Sequence, residues 1–335
     1  MANSNTQLVD TFGRQITYVR MSITDRCDFR CVYCMDEEMT FMPREKLLTL
    51  EEIAFLMRAF CELGIEQIRI TGGEPLVRKN VGWLMQQIGK LKQTTSLKQL
   101  TLTSNGSQLP QYAKTLYDAG LDRINISLDS LKPERFKQLT RTGKLNSVLA
   151  GIQAAQQAGF TGLKINSVIM TGRNQDEIID LAQFALDNKM DISYIEEMPL
   201  GHVSHNRQES YCSSDTVRET LQTAFHLTES TTTTGGPSRY YHVAGYDNKI
   251  GFISPHSHNF CASCNRVRVT TEGRLLLCLG QEHSVDLRQV MREHPNDMPY
   301  LKHTLIDAMT LKPEKHEFNL AEQPIIFRHM NVTGG

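Results

Sequence analysis

The sequence predicts an α/β fold, an incomplete (β/α)6 TIM-type barrel with a smaller C-terminal β-containing region closing its open side. Two observations carry this expectation. Six β-rich runs alternate with helix-like runs before Gly201, a pattern that calls for parallel strands joined by right-handed crossovers. The chemically unusual residues also gather at or near the carboxyl ends of those runs. A β/α barrel brings those ends to one face, whereas a doubly wound sheet would concentrate its site at one switch point.

The first strand is "ITYVRMSIT" (Ile16 to Thr24), followed by the cysteine-rich "CDFRCVYC" and a helical pattern from Thr49 to Leu63 that stops at Gly64. The second, "IEQIRIT" (Ile65 to Thr71), runs into "TGGEP" and a helix from Val81 to Lys92. "LKQLTLTS" (Leu97 to Ser104) leads to "TSNG" and a helix from Gln111 to Ala119 closed by Gly120. "DRINISLD" (Asp122 to Asp129) ends in "SLDS", before a helix from Leu145 to Ala158 closed by Gly159. "GLKINSVIM" (Gly162 to Met170) holds Asn166 and precedes a helix from Asn174 to Asn188, and "DISYIEEM" (Asp191 to Met198) ends in "EEMPLG". Beyond Gly201 the pattern changes to the loop "STTTTGGPS" and short β-like runs around "YYHVAG", "KIGFIS" and "RVRVTTEGRLLLCL", whose "EG" marks a hairpin. The expected division is therefore 1–200 for the barrel and 201–335 for the C-terminal region.

With 335 residues, 40% of them hydrophobic, the chain can bury a sizeable core. A formal charge of −1 gives no global attraction to nucleic acid or a membrane surface, so an anion site must come from locally placed Arg and Lys. No apolar run approaches the ~18 residues of a spanning helix, and "MANSNTQLVD" lacks the basic start and apolar centre of a secretory signal. The expectation is a cytoplasmic protein with neither membrane nor nucleic-acid partner. Of eight cysteines, six form two tight groups, the pattern of metal ligands and not of a disulfide framework. Cys61 lies on a helical apolar stripe and reads as a buried, inert thiol; Cys212 gives no signal.

The first group, Cys27, Cys31 and Cys34, is spaced C-x3-C-x2-C. Structural zinc wants four ligands in a closed shell, and no fourth Cys or His is near in sequence. A [4Fe–4S] cubane has four irons, so three thiolates leave one free to bind another molecule. The second group, Cys261, Cys264 and Cys278, admits two readings: a structural zinc site completed by His256 or His258, or a second three-cysteine cluster. Arg266 and Arg268 alternate on a predicted strand beside it, so both face one side, and the forked guanidinium suits phosphate. That neighbourhood favours a cluster with a polyanionic substrate.

The C-x3-C-x2-C loop with Tyr33 before its last cysteine, joined to "TGGEP" after the second strand, resembles the radical S-adenosylmethionine (SAM) enzymes. Further stretches, "FGRQITYVRMSITDRCDFRCVYCM", "FMPREKLLT", "IRITGGEPLVR", "RINISLDSL", "GFISPHSHNFCASCNRVRVTTEGRLLLCL", "LKPEKHEFN" and "MNVTGG", resemble the GTP 3′,8-cyclase family from about Val9 to Gly335. The resemblance implies two [4Fe–4S] clusters, held by Cys27, Cys31 and Cys34 and by Cys261, Cys264 and Cys278. SAM contacts would be Tyr33, Gly73, Ser127 and Met198; those of GTP would be Arg20, Arg69, Thr103, Lys164, Arg266, Val267 and Arg268. The first trio, Arg266 and Arg268 would be catalytic.

The implied reaction is the first step of molybdenum cofactor biosynthesis. A 5′-deoxyadenosyl radical takes the 3′ hydrogen of GTP, the C3′ radical attacks guanine C8, and reduction of the resulting base radical by one electron with uptake of a proton gives (8S)-3′,8-cyclo-7,8-dihydroguanosine 5′-triphosphate. Implied partners are a reductant such as flavodoxin or ferredoxin, the downstream cyclic pyranopterin monophosphate synthase, and a second copy of the chain. The tail, Gly334 and Gly335, would thread toward the site. Gln67 and Ser193 stand where many family members carry Lys and Arg, and the expected compensation is tighter reliance on Arg266 and Arg268, or a nearby basic residue such as Arg78. Two other readings are a radical SAM peptide-modifying enzyme with an auxiliary cluster, and a zinc-stabilised nucleic-acid-binding module.

Overall fold

In the computed structural model, which describes residues 7–320 and 326–334, the six expected strands form the centre of one sheet. They are β1 (Tyr18–Ser22), β2 (Gln67–Thr71), β3 (Gln99–Ser104), β4 (Arg123–Ser127), β5 (Leu163–Val168) and β6 (Asp191–Ile195), each parallel to the next. The crossovers carry α1 (Leu50–Glu62), α2 (Val81–Lys90), α3 (Leu109–Asp118), α4 (Pro133–Thr140), α5 (Leu145–Gln157) and α6 (Ile178–Asp187). The start of α1 is fixed by a capping box: Thr49 Oγ1 accepts from the Glu52 amide at 3.1 Å while Glu52 accepts from the Thr49 amide at 2.8 Å. α3 begins before the expected Gln111 because Pro110 sits in its first turn, where a missing N–H costs nothing.

The C-terminal region contributes to the sheet itself. β7 (Leu227–Glu229), β8 (Arg239–Val243) and β9 (Lys249–Ile253) extend one edge, with β9 parallel to β6. β10 (Arg266–Val269), β11 (Arg274–Leu276) and β12 (Ser284–Asp286) extend the other, with β10 parallel to β1. The second cysteine group therefore lies beside the first strand, a neighbourhood set by pairing between residues some 250 positions apart. The sequence pattern did not predict the helices at Ser214–Gln222, Leu287–Glu293 and Met298–Ala308.

Each central strand alternates in a sense that positions the site. The outward residues Val19, Met21, Ile68, Ile70, Leu102, Ile124, Ile126 and Ile165 are fully buried in the main apolar core, which the helices cover. The inward residues are polar or charged, among them Arg20, Arg69, Thr103, Asn125 and Lys164. Barrel interiors are usually filled with branched apolar side chains. Here the core lies outside the strands, leaving a polar chamber inside.

Candidate active site

The Cys27–Cys34 loop is pinned to the end of α4, where the Arg30 and Val32 amides donate to the carbonyls of Thr140 and Leu139, both at 2.9 Å. Cys27, Cys31 and Cys34 line one cavity together with Tyr33, Gly73 and Ser127, which brings the first trio to three of the four residues expected for SAM. Burial pushes the Cys31 thiol well up and the Cys34 thiol to about 12, so these sulfurs need an attached cation to ionise. Tyr33 donates at 2.7 Å to Asp129, which also accepts from the Val168 amide at 2.8 Å. Glu74 of "TGGEP" is fully buried and accepts from the amides of Leu76 and Asn105 and from Ser104 Oγ, tying this turn to the end of β3. A Cβ on Gly73 would overlap the Arg26 carbonyl, so the close approach that this glycine permits is by the chain's own backbone.

Cys261, Cys264 and Cys278 line a second cavity with Arg266, Val267, Arg268 and Arg20. Burial opposes ionisation of Cys264, but Arg266 and Lys312 outweigh it and hold this thiol below its ordinary value; at Cys278 burial wins and the thiol is pushed up. Neither expected zinc histidine turns to this cavity. His256 bonds the Glu197 carbonyl at 2.9 Å, and His258 pairs with Asp215 at 2.9 Å; His316 is the histidine on the lining. Among the described residues no three His, Cys, Asp or Glu side chains form a single-ion site. Two sets of three thiols, each ringing a cavity, suit the wider sulfur-rich cubane better than one zinc ion.

A third recess joins the second cavity, and both share Arg20, Asn166, Pro237 and Ile253. Its walls add Arg69, Arg123 and Lys164, so among the described residues four cations line it and no carboxylate does. The strand register makes the crowding explicit: Arg20 pairs with Arg69 on one side and Arg268 on the other. Like charges at paired positions repel, so an anion is needed to make the arrangement favourable. Two tyrosines moderate it. Lys164 donates to Tyr240 at 2.8 Å, and Arg20 to Tyr18 at 3.3 Å. Burial works against both phenolates, but Arg69 and Arg20 bring Tyr18 down to about 7, and Lys164 and Arg123 bring Tyr240 to about 7. Burial, aided by Arg123 and Arg69, lowers Lys164 to about 8. The Nε atoms of Arg69 and Arg123 and the Oδ1 atoms of Asn125 and Asn166 are buried without a partner among the described residues. The two guanidinium donors call for an anionic acceptor, and the two amide oxygens for a donor such as a hydroxyl or amino group on the same ligand.

Two expected residues fall in different cavities from those anticipated. Met198 lines the second cavity and Thr103 the first, although Thr103 still receives Arg69 at 3.4 Å. Arg78 donates to the Leu48 carbonyl at 2.9 Å and does not line the recess, so it does not compensate for Gln67 and Ser193. Arg123 lines it instead, held by Asp191 at 3.3 Å. The sequence held the signal, because Arg123 has the parity of Asn125 and Ser127 in "RINIS". Cys61 is buried as expected, and Cys212 is buried too. Gly334 receives Arg268 through its carbonyl, whereas Gly335 lies outside the described residues.

A parallel β/α sheet with a C-x3-C-x2-C loop behind its first strand defines a radical SAM enzyme, and residues 21–185 match the Radical SAM superfamily model while 190–318 match Molybdenum Cofactor Synthesis C. Among solved structures, SuiB of Streptococcus suis superposes with a TM-score of 0.60 at 14% identity, over 87% of this chain and 67% of that one. Its SAM-bound form gives 0.60 at 14% identity over 95% and 78%. Among curated proteins, the chain is 59% identical over 332 residues to the GTP 3′,8-cyclase of Saccharophagus degradans, spanning 99% of each. It is 56% identical over 330 residues to that of Pseudomonas entomophila, spanning 98% of each. The chain belongs to the GTP 3′,8-cyclase family.

Proposed function

We propose that this chain converts GTP to (8S)-3′,8-cyclo-7,8-dihydroguanosine 5′-triphosphate in molybdenum cofactor biosynthesis. The observation that supports this most directly is the wall shared by the second cavity and the cationic recess, which suits a ligand with a base at one end and a polyphosphate at the other.

Cys27, Cys31 and Cys34 would hold one [4Fe–4S] cluster, and Cys261, Cys264 and Cys278 the second. With SAM bound, the first cluster would supply 5′-deoxyadenosyl radical chemistry for removal of the hydrogen at C3′ of GTP. Tyr33, oriented by Asp129, presents its ring to SAM, with Gly73 and Ser127 on the same cavity and Met198 across the chamber. Arg20, Arg69, Lys164, Arg266 and Arg268 hold GTP by charge, Thr103 and the Val267 backbone by hydrogen bonds, so that C3′ and C8 stay fixed while hydrogen is removed. Asn166, on both cavities, stands where base and phosphate ends meet.

Residues 1–200 provide the SAM half and 201–335 the second trio, a functional division within one sheet, supported by the two family matches meeting near residue 190. Among the described residues no helix is long and apolar enough to cross a membrane, and we place the protein in the cytoplasm with a flavodoxin- or ferredoxin-type reductant, the pyranopterin monophosphate synthase downstream and a second copy as partner. The test is anaerobic: purified protein should carry about eight irons and eight sulfides, and after reduction should form 5′-deoxyadenosine from SAM only when GTP is present. Formation indifferent to GTP would favour a peptide substrate. Zinc in place of iron would return the nucleic-acid-binding reading.

A further inference from the structure

"LKPEKHEFN" lies far from the cysteines in sequence, and the reaction assigns it no part. Its lysine, Lys312, is nonetheless buried, at 3% exposure, beside the second trio. The ammonium donates to the Leu277 carbonyl at 2.6 Å, to the Arg266 carbonyl at 3.0 Å and to Cys264 Sγ at 3.6 Å. An ammonium has three protons, and these contacts use all three. None is left for a carboxylate, so the sulfur is the only acceptor of the three that can carry a full negative charge. A buried charge is tolerated when it is paired, and two neutral carbonyls do not pair it.

Placement reinforces the point. Leu277 immediately precedes Cys278, and Arg266 follows Cys264 by two residues, so one ammonium joins the two chain segments that present these thiols. The segment bearing Lys312 is itself anchored: Arg14, paired with Asp10 at 2.6 Å, donates to the carbonyls of Pro313 at 2.6 Å, Glu314 at 2.7 Å and Cys261 at 2.8 Å. Arg14 thus holds the third cysteine to the same strap. Among the described residues the donors to the first trio's sulfurs are all neutral: the Phe29 amide and Asn105 side chain on Cys27, the Tyr33 side chain on Cys31 and the Asn331 amide on Cys34.

We propose that Lys312 is a positioning residue for the second cluster, the fixed countercharge of its thiolates, and that it makes this cluster easier to reduce than it would otherwise be. The inference rests on the two-cluster reading given above. A [4Fe–4S] core of charge +2 with three thiolates has a net charge of −1, and one added electron makes it −2. A cation in contact with a ligand sulfur favours the more negative state and so raises the potential.

The experiment compares anaerobically purified full-length wild type, K312M and K312R by iron and sulfide content and by potentiometric titration followed by EPR. Wild type with about eight irons and two reduction waves tests the two-cluster reading; its failure there would be seen before any variant is considered. In K312M one wave should move to lower potential by at least tenfold in the equilibrium constant for reduction, about 59 mV for one electron, or be lost with about half the iron, while the other wave stays. K312R, which keeps the charge, should keep the iron and the wild-type potentials. Full iron with both waves unmoved in K312M overturns the proposal, as does a K312R protein equally defective, since shape and not charge would then be responsible. If K312M does not fold, K312R decides: wild-type potentials support the proposal, and a tenfold displacement overturns it.

Discussion

Replacing Lys164 with Met tests the cationic recess through an observable that needs no catalysis. Tyr240 is brought from 10.0 to about 7 although burial opposes its ionisation. A fall of about three units is roughly 4 kcal/mol of net interaction favouring the phenolate, and Lys164, at 2.8 Å, is the foremost cause on the lowering side. Lys164 itself falls from 10.5 to about 8, so the two groups titrate as a pair. A lysine whose folded value is depressed costs the empty protein stability below about pH 8, a cost relieved as pH rises toward 10.5. A tyrosine whose folded value is depressed adds stability that appears above about pH 7 and is complete above 10. Both signs agree, so this pair should make the GTP-free enzyme more stable as pH rises from about 7 to 10. In K164M, Tyr240 loses its nearest cation and burial should carry its ionisation well above 7. Ultraviolet titration of tyrosinate should show two early-ionising tyrosines in wild type, Tyr18 and Tyr240, and one in the variant. The variant should melt higher without GTP at pH 7, because a buried charge is gone, yet bind GTP about 10 to 150-fold more weakly for the loss of one charge-assisted hydrogen bond of about 1.5–3 kcal/mol. Two early phenols and unchanged GTP affinity in K164M would refute the reasoning.

Cys27→Ala should abolish GTP-dependent deoxyadenosine formation and halve the iron content; a variant with full iron and wild-type turnover contradicts the ligand role. Arg266→Ala removes a guanidinium that borders the second cavity, 4.9 Å over the Phe260 ring, and should raise the Kd for GTP at least tenfold while SAM affinity stays level, as isothermal titration with each ligand would show. Gly73→Ala places a methyl group against the Arg26 carbonyl, an overpacking worth about 1–3 kcal/mol, so thermal denaturation should shift down and SAM binding weaken. A Gly73→Ala protein with unaltered melting and SAM affinity would mean that the turn can move aside.

Parity and spacing made much of the fold and site legible. The six central strands fall within the predicted runs, because helical and alternating patterns are local properties. Both trios and the Arg266 and Arg268 pair were visible for the same reason. What escaped depends on nonlocal pairing. Nothing in "KIGFIS" or "RVRV" states that these runs flank on both sides a parallel sheet begun more than 200 residues earlier, and nothing in "LKPEKHEFN" states that Lys312 reaches Cys264, 48 positions away. Arg123 was missed differently: it shares the inward parity of Asn125 and Ser127, but it sits at the start of β4, where a strand end usually meets solvent.

Gln67 and Ser193 show how the recess keeps its charge with two neutral side chains at positions where Lys and Arg were expected. The "STTTTGGPS" loop reaches both. A Cβ on Gly235 would lie 2.5 Å from Gln67 Oε1, and Ser238 bonds Ser193 hydroxyl to hydroxyl at 2.7 Å. Longer cationic side chains would need the volume this loop occupies, so the two features belong together. The loop in turn places Thr234 3.3 Å from the Tyr240 hydroxyl, which already receives Lys164 and lies 3.5 Å from Arg123. Arg123 on β4 is the cation of the recess that lies outside the expected set, with Asp191 holding that guanidinium at the rim. An R123M, Q67K double variant discriminates this from simple loss. If the loop has replaced the missing lysine, the introduced ammonium side chain must displace Gly235 and GTP affinity should remain at least tenfold below wild type; full recovery would show that any cation in the chamber serves equally well.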